Sequence, residues 1–309
     1  MKGYKRSILY VGLFASLSFL VTFAIFDLFL KYYIFDKKVR AVPIEIAVSQ
    51  YPSFKTPIDP DISAKAIVIM DKDSKVVLFS KNPNLLFSMA STTKIMTALV
   101  GLDYFKTNDV LRIRAENVEG VNVGFKIGQR VRFVDVLYAM LLPSGNDAAL
   151  AVAQNYPGGE DEFIKKMNEK AKSLNLANTN FADSIGLEDS RDYTTPLDLA
   201  RLASAALENK IFSNIVATKE IEISDLTGAN RYLFKNLNKL LGVSGVNGVK
   251  TGTTTEAGQV LVASKEEIEL NGNKHTLIIV VMNSQDRFSD TAELLKLISG
   301  NINYLSIRR

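Results

Sequence analysis

The sequence predicts an α+β fold: an antiparallel sheet flanked by helices, with a helical lobe inserted between its N-terminal and C-terminal strands. Three observations lead there. Strand-like apolar runs lie at residues 64–80 and again between 214 and 282. Helical spacing fills the stretch between them, so the sheet has to be assembled from both ends of the chain. The 309 residues, 47% hydrophobic and 23% charged, suit one large domain or two lobes sharing a core.

The N-terminus stands apart. "ILYVGLFASLSFLVTFAIF" (8–26) is 19 residues without a charge, long enough for a spanning helix and longer than the usual core of a signal peptide. The best small-x-small site, Ala47-Val48-Ser49, lies well beyond that run, so an uncleaved anchor is expected, with residues 8–30 in the membrane. Residues 1–40 hold seven Lys/Arg and two Asp, which leaves 30 basic and 31 acidic residues beyond them. The net charge of +4 thus belongs to the N-terminus, and the remainder carries no basic signal for nucleic acid. Lys2, Lys5 and Arg6 lie on one side of the apolar run, but Lys31, Lys37, Lys38 and Arg40 lie on the other, so charge leaves the orientation open. Residues 37–60 then hold four of the eight prolines, as in a tether or extended lead-in. The expected division is an anchor over 1–34, a Pro-containing linker over 35–60, a catalytic domain over 61–300 and a tail over 301–309.

Within the domain, "AKAIVIMDKDSKVVLFS" (64–80) reads as two strands around the turn Asp71-Lys72-Asp73-Ser74, whose charges are those of a solvated turn. A helix opens near Ser91, and short β pieces at 111–114 and 130–133 lead to helices over 133–142 and 146–155. "DEFIKKMNEKAKSLNL" (161–176) is amphipathic, and "TTPLDLARLASAALEN" (194–209) is a helix started by Thr195 before Pro196. Strands return in "NIVATKEIEI", "RYLFKN", "QVLVASKEEIEL" and "HTLIIVVM", and "DTAELLKLIS" (290–299) forms the last helix. A cleft between the lobes is the natural place for a site.

With no Cys and one His, disulfides and Cys nucleophiles are excluded, and a Ser-His-Asp site or a zinc site would have to use His275. His275 follows the turn signal "NGN" and reads as a surface strand residue. Another arrangement is more promising. "FSMASTTKIMTALVGL" (87–102) is apolar or small almost all round, as in a helix buried on every side, yet it carries Lys94. Lys94 lies three residues after Ser91, on the same helical face and within reach of its hydroxyl. A serine needs its proton removed to become a good nucleophile, and a lysine kept neutral by burial can remove it. On this pair alone the simpler reading, a lysine that snorkels or pairs with a carboxylate, is preferred.

Two further motifs shift the balance. "LLPSGNDAALAVA" supplies Ser144-Gly145-Asn146 between two helices, a weak signal because S-x-N also occurs at Ser173 and Ser299. "GVNGVKTGTTTEAGQVLVAS" supplies the single Lys250-Thr251-Gly252 just before a strand. S-x-x-K, S-x-N and K-T-G in this order resemble the serine penicillin-binding protein and β-lactamase superfamily. Together with "GLEDSRDYTTPLDLARLA", the chain is most similar to the low-molecular-weight D-alanyl-D-alanine carboxypeptidases over about residues 60–298.

The resemblance implies a β-lactamase/DD-peptidase-like fold and a role for each residue. Ser91 would attack the penultimate D-Ala carbonyl of a peptidoglycan stem peptide (D-Ala-D-Ala), with Lys94 as base and Ser144 relaying a proton to the leaving amine. Asn146 would bind the substrate amide, and Lys250 and Thr251 the terminal carboxylate. Gly252 would admit substrate backbone beside the strand, and the N–H groups of Ser91 and Thr253 would form the oxyanion hole. β-Lactams would acylate Ser91, and neither cofactor nor metal is implied. Such a substrate would place the domain on the extracytoplasmic side of the cell membrane. The small β-rich second domain and C-terminal amphipathic helix of familiar members have no counterpart in "NINYLSIRR", so anchoring is expected at the N-terminus. A β-lactamase remains a rival, though Glu188 continues as "EDSRD" where class A enzymes have E-x-x-L-N. A DD-endopeptidase and a penicillin-binding sensor with little turnover would use the same residues.

Overall fold

The computed structural model describes residues 17–29, 51–187, 189–268 and 272–305, and the chain divides into two units, Met1–Ala47 and Val48–Arg309. In the first unit residues 17–29 are helical. The expected anchor over 8–26 lies partly outside the described residues, among which no helix is long and apolar enough to cross a membrane.

The second unit begins with β1 (Tyr51–Phe54), β2 (Ala66–Asp71) and β3 (Val77–Lys81). A 3₁₀ turn (Ala90–Thr93) runs into α1 (Lys94–Tyr104), followed by β4 (Val110–Arg112), β5 (Arg130–Arg132), α2 (Phe133–Leu141), α3 (Asn146–Asn155), α4 (Gly159–Ser173), α5 (Pro196–Leu207) and α6 (Lys210–Val216). The chain then forms β6 (Glu220–Ser224), β7 (Arg231–Lys235), β8 (Val246–Thr254), β9 (Gly258–Ile268), β10 (Lys274–Ser284), α7 (Arg287–Ile298) and β11 (Ile302–Leu305).

The expected sheet is present as five antiparallel strands in the order β3-β2-β10-β9-β8, so the N-terminal hairpin joins the C-terminal strands through the β2–β10 pair. Both faces are covered, which is why these strands read as continuous apolar runs. Ala66, Val68 and Met70, with Ile278, Val280 and Met282, face the core shared with the helices. Their alternates Ile67, Ile69, Leu277, Ile279 and Val281 pack with Leu294, Leu295 and Ile298 of α7 and with Ile302 and Tyr304 of β11. α1 is buried from Lys94 to Gly101, and burying Ile95, Met96 and Leu99 contributes about 1.5–3 kcal/mol each. Thr195 caps α5 as expected, its Oγ1 accepting from the Asp198 N–H with Pro196 at the first helical position.

Three expectations change. The stretch "NIVATKEIEI" is strand only from Glu220, because Asn209 accepts from the Ile211 and Phe212 N–H groups and starts α6, which buries Phe212, Ile215 and Val216 at helical spacing. Part of the expected linker and part of the expected tail pair with each other, Tyr51–Phe54 against Ile302–Leu305, so ordered structure extends outside 61–300. His275 is in a strand, but it is half-buried and its ring stacks on Tyr304 with centroids 3.5 Å apart.

Candidate active site

The 3₁₀ turn places Ser91 at the entrance to α1 and leaves it partly exposed, one helical turn before the fully buried Lys94. Ala90 just before it has φ +48°, in the left-handed region that Ala rarely adopts. The backbone is held there by close neighbours. A Cβ on Gly252 would stand 3.1 Å from Ala90 Cβ and 3.3 Å from the Ser91 nitrogen. A Cβ on Gly186, where φ is +85°, would come within 2.0 Å of the Ala90 oxygen. The bare α-carbon of Gly252 therefore lets β8 press against the turn carrying Ser91, a different reason for glycine from the expected approach of substrate.

Lys94 Nζ makes three contacts: Ser91 Oγ at 3.1 Å, Asn146 Oδ1 at 2.8 Å and the Ile185 carbonyl at 2.7 Å. Burial pushes its pKa down to about 7, against the opposing pull of Asp183, Asp147 and Asp192. A neutral amine has two N–H groups and one lone pair. The carbonyl oxygens of Asn146 and Ile185 can only accept, so they take both hydrogens, and the lone pair is left facing the Ser91 hydroxyl.

Asn146 begins α3, and its Nδ2 donates to the Glu119 carbonyl at 2.5 Å. Ser144, two residues earlier and at φ +69°, accepts from Lys250 Nζ at 2.9 Å. Lys250 projects from β8 and donates also to the Thr251 carbonyl. Burial, then the charges of Lys94 and Arg287, hold Lys250 well below the ordinary lysine range. The like charge of Lys94 thus bears on Lys250, whereas for Lys94 burial dominates.

The structure brings together Ser91, Lys94, Ser144, Asn146, Lys250, Thr251, Gly252 and Thr253, from three segments far apart in sequence. Ser91, Asn146 and Thr253 line a cleft of about 370 Å³ with Gly120, Gly186 and Thr254. Two contributors were not expected. Arg287, at the start of α7, donates from Nη1 to the Gly252 carbonyl at 2.7 Å and to Thr253 Oγ1, pinning the K-T-G strand. The Ile185 carbonyl is presented by a loop whose N–H groups at Ile185, Gly186 and Leu187 donate to the Asp183 carboxylate. No motif marks Arg287, and a backbone carbonyl leaves no residue signature. Glu188 lies outside the described residues.

A Ser–Lys pair with a second serine and a lysine-bearing strand, in an antiparallel sheet with an inserted helical lobe, is the arrangement of a serine acyl-transfer peptidase. The chain belongs to the D-alanyl-D-alanine carboxypeptidase family, peptidase S11, which matches residues 53–286. It is 34% identical to the D-alanyl-D-alanine carboxypeptidase DacF of Bacillus subtilis over 70% of its own length and 57% of that protein's. It is 30% identical to a D-alanyl-D-alanine endopeptidase of Pseudomonas aeruginosa, covering 83% of each. The crystal structure of the Streptomyces K15 DD-transpeptidase superposes with a TM-score of 0.71 at 31% identity, covering 78% of this chain and 98% of that one.

Proposed function

We propose that the chain is a membrane-anchored serine DD-carboxypeptidase that removes the terminal D-Ala of peptidoglycan stem peptides through an acyl-enzyme on Ser91. The observation that carries this reading is the fully buried Lys94 Nζ, 3.1 Å from the Ser91 hydroxyl and held by two carbonyl acceptors. Neutral Lys94 takes the Ser91 proton as Oγ attacks the penultimate D-Ala carbonyl, and the N–H groups of Ser91 and Thr253 receive the oxyanion. Ser144, oriented by Lys250, passes a proton to the leaving amine. Asn146 binds the substrate amide, and Lys250, Thr251 and Arg287 form the cationic and hydroxyl-bearing wall for the terminal carboxylate. Water then cleaves the ester. The apolar segment over 8–30 holds the chain in the cell membrane with the domain on the extracytoplasmic side, where this substrate lies.

β-Lactams present a strained amide and a carboxylate in the same geometry, so they acylate Ser91. Without the E-x-x-L-N glutamate of class A β-lactamases, the resulting ester turns over slowly. The test is fluorescent-penicillin labelling followed by identification of the modified residue, with release of D-Ala from a pentapeptide measured in parallel. Labelling at Ser91, and loss of both activities in Ser91→Ala, are expected. Labelling without D-Ala release would make the chain a penicillin-binding sensor, and rapid complete hydrolysis of a chromogenic β-lactam would make it a β-lactamase.

A further inference from the structure

Among the described residues that line the reactive cleft, Glu119 is the one with an ionisable side chain; its companions include Ser91, Val121, Asn146, Leu187 and Thr254. Its backbone is locked against the site. The Glu119 carbonyl accepts from Asn146 Nδ2, and the Asn146 N–H donates to the Val121 carbonyl at 2.7 Å. Gly120, at φ +85°, lies so close that a Cβ there would stand 2.6 Å from Asn146 Nδ2. Asn122 Oδ1 accepts from the Val118 N–H at 3.0 Å and closes the turn around Glu119. Just beyond, the Asp147 carboxylate accepts from the Val123, Gly124 and Phe125 N–H groups at 3.1–3.2 Å. These bonds fix the Glu119 backbone beside Asn146, while the residue stays exposed. Three residues earlier, Glu116 pairs with Lys126 at 3.8 Å. The Glu119 carboxylate, by contrast, has neither an ion pair nor a hydrogen bond among the described residues.

The proton steps proposed above use Lys94 and Ser144 and leave this carboxylate without a task. The cations Lys250 and Arg287 belong to the wall proposed for the terminal carboxylate, and neither lines this cleft. A peptide with its carboxylate on that wall and its reacting carbonyl at Ser91 runs its preceding residue past Asn146. In a stem peptide the residue before D-Ala-D-Ala is a diamino acid, whose side-chain amine is a cation until it is acylated. Its α-carbon lies about 3.8 Å from that of the attacked residue, so its side chain reaches the segment bonded to Asn146. We infer that Glu119 is a specificity-determining residue that pairs with this ammonium, so that the enzyme selects stem peptides whose side-chain amine is free. The inference rests on the function proposed above. Val121 and Leu187 supply apolar surface for the methylene groups of the same side chain. An acylated amine has no charge to offer, and binding it leaves the carboxylate as unpaired as before.

The experiment measures D-Ala release by the full chain from two peptides. One is Nα-acetyl-lysyl-D-Ala-D-Ala, with its side-chain amine free; the other is the same peptide with that amine acetylated. The readout is the ratio of their kcat/KM values within one preparation, from which the folded fraction cancels. The wild-type chain is expected to favour the free amine about threefold or more. Glu119→Gln should bring the ratio to about one, and Glu119→Lys should invert it. No wild-type preference for the free amine, or a ratio unchanged in either variant, would overturn the inference and leave the carboxypeptidase reading standing. Both variants keep the backbone carbonyl to which Asn146 Nδ2 donates. Glu119→Gln inert on both peptides would therefore also overturn the inference, because the side chain would then serve the reaction itself and not selection. A wild-type chain that releases D-Ala from neither peptide would overturn the two readings together.

Discussion

Lys250 Nζ lies 2.9 Å from Ser144 Oγ, joining the edge strand β8 to the turn between α2 and α3. This buried bond ties the second serine to the strand whose Gly252 packs against the Ser91 turn. Lys250→Ala removes the donor and opens a cavity in a buried position. A loss of about 10²–10³ in kcat/KM for D-Ala release is expected, with Ser91 still labelled, slowly, by penicillin. Wild-type rates in this variant would mean that Ser144 needs no such orientation.

The pH profile should follow Lys94. Its active form as a base is the neutral amine, which predominates above about pH 7 and is lost as pH falls through that value. Acylation by a β-lactam is therefore expected to decline about tenfold per unit on the acid side of 7. A flat profile from pH 5 to 8 would remove Lys94 from the proton-transfer step.

Asp183 offers a check with a definite sign. Its negative charge favours the ammonium form of Lys94, so Asp183→Asn should lower the Lys94 pKa and move the acid limb to lower pH. The asparagine retains only one oxygen for the three N–H groups of the 185–187 loop, so a loss of about 1–2 kcal/mol in stability should accompany the shift. An acid limb moving to higher pH would contradict the electrostatic account.

Asp192 is raised to about 8 by burial first and then by the neighbouring Asp183 charge. An acid whose folded pKa exceeds its unfolded value stabilises the fold when protonated in both states, and that contribution disappears as pH climbs from about 4 to 8. Asp192→Asn should accordingly raise the melting temperature at pH 8, by an effect on the order of a few kcal/mol at most, and change little at pH 4. Thermal scans at the two pH values decide it; a variant equally affected at both would point to lost packing.

Two glycine substitutions should separate geometry from stability. Gly252→Ala puts a methyl group 3.1–3.3 Å from Ala90 Cβ, the Met89 oxygen and the Ser91 nitrogen, so a shift of a few tenths of an ångström accommodates it. Activity should fall about 10²-fold while stability falls by about 1–2 kcal/mol. Gly186→Ala meets the Ala90 oxygen at 2.0 Å in a left-handed backbone and should cost about 3 kcal/mol or more. Urea titration beside a D-Ala release assay measures both, and the opposite ranking in stability would refute the contact argument.

Legibility in the sequence followed the physical signal each part leaves. The β2 and β10 runs were readable because strands buried on both faces need unbroken apolar sequence. Ser91 and Lys94 stood out because a buried helix with one lysine is an anomaly, but only the S-x-N and K-T-G motifs turned that anomaly into a candidate site. The α6 helix was obscured because Ile215 and Val216 have strand-like side chains, while the deciding signal is the cap at Asn209. The pairing of β1 with β11 joins segments about 250 residues apart, neither of which has a pattern of its own. Arg287 and the Ile185 carbonyl enter the site only through tertiary placement, so local spacing does not reveal them.

The hairpin of β2 and β3 finds its sheet neighbour only in β10, some 200 residues later. A ribosome must therefore deliver nearly the whole polypeptide before the first strands have a partner, and Ser91 is synthesised long before β8 can close against it. High contact order of this kind makes folding slow and late. Nascent or truncated chains that stop short of β8 carry Ser91 without the strand that completes the cleft beside it, so the assembled site arises only near the end of synthesis.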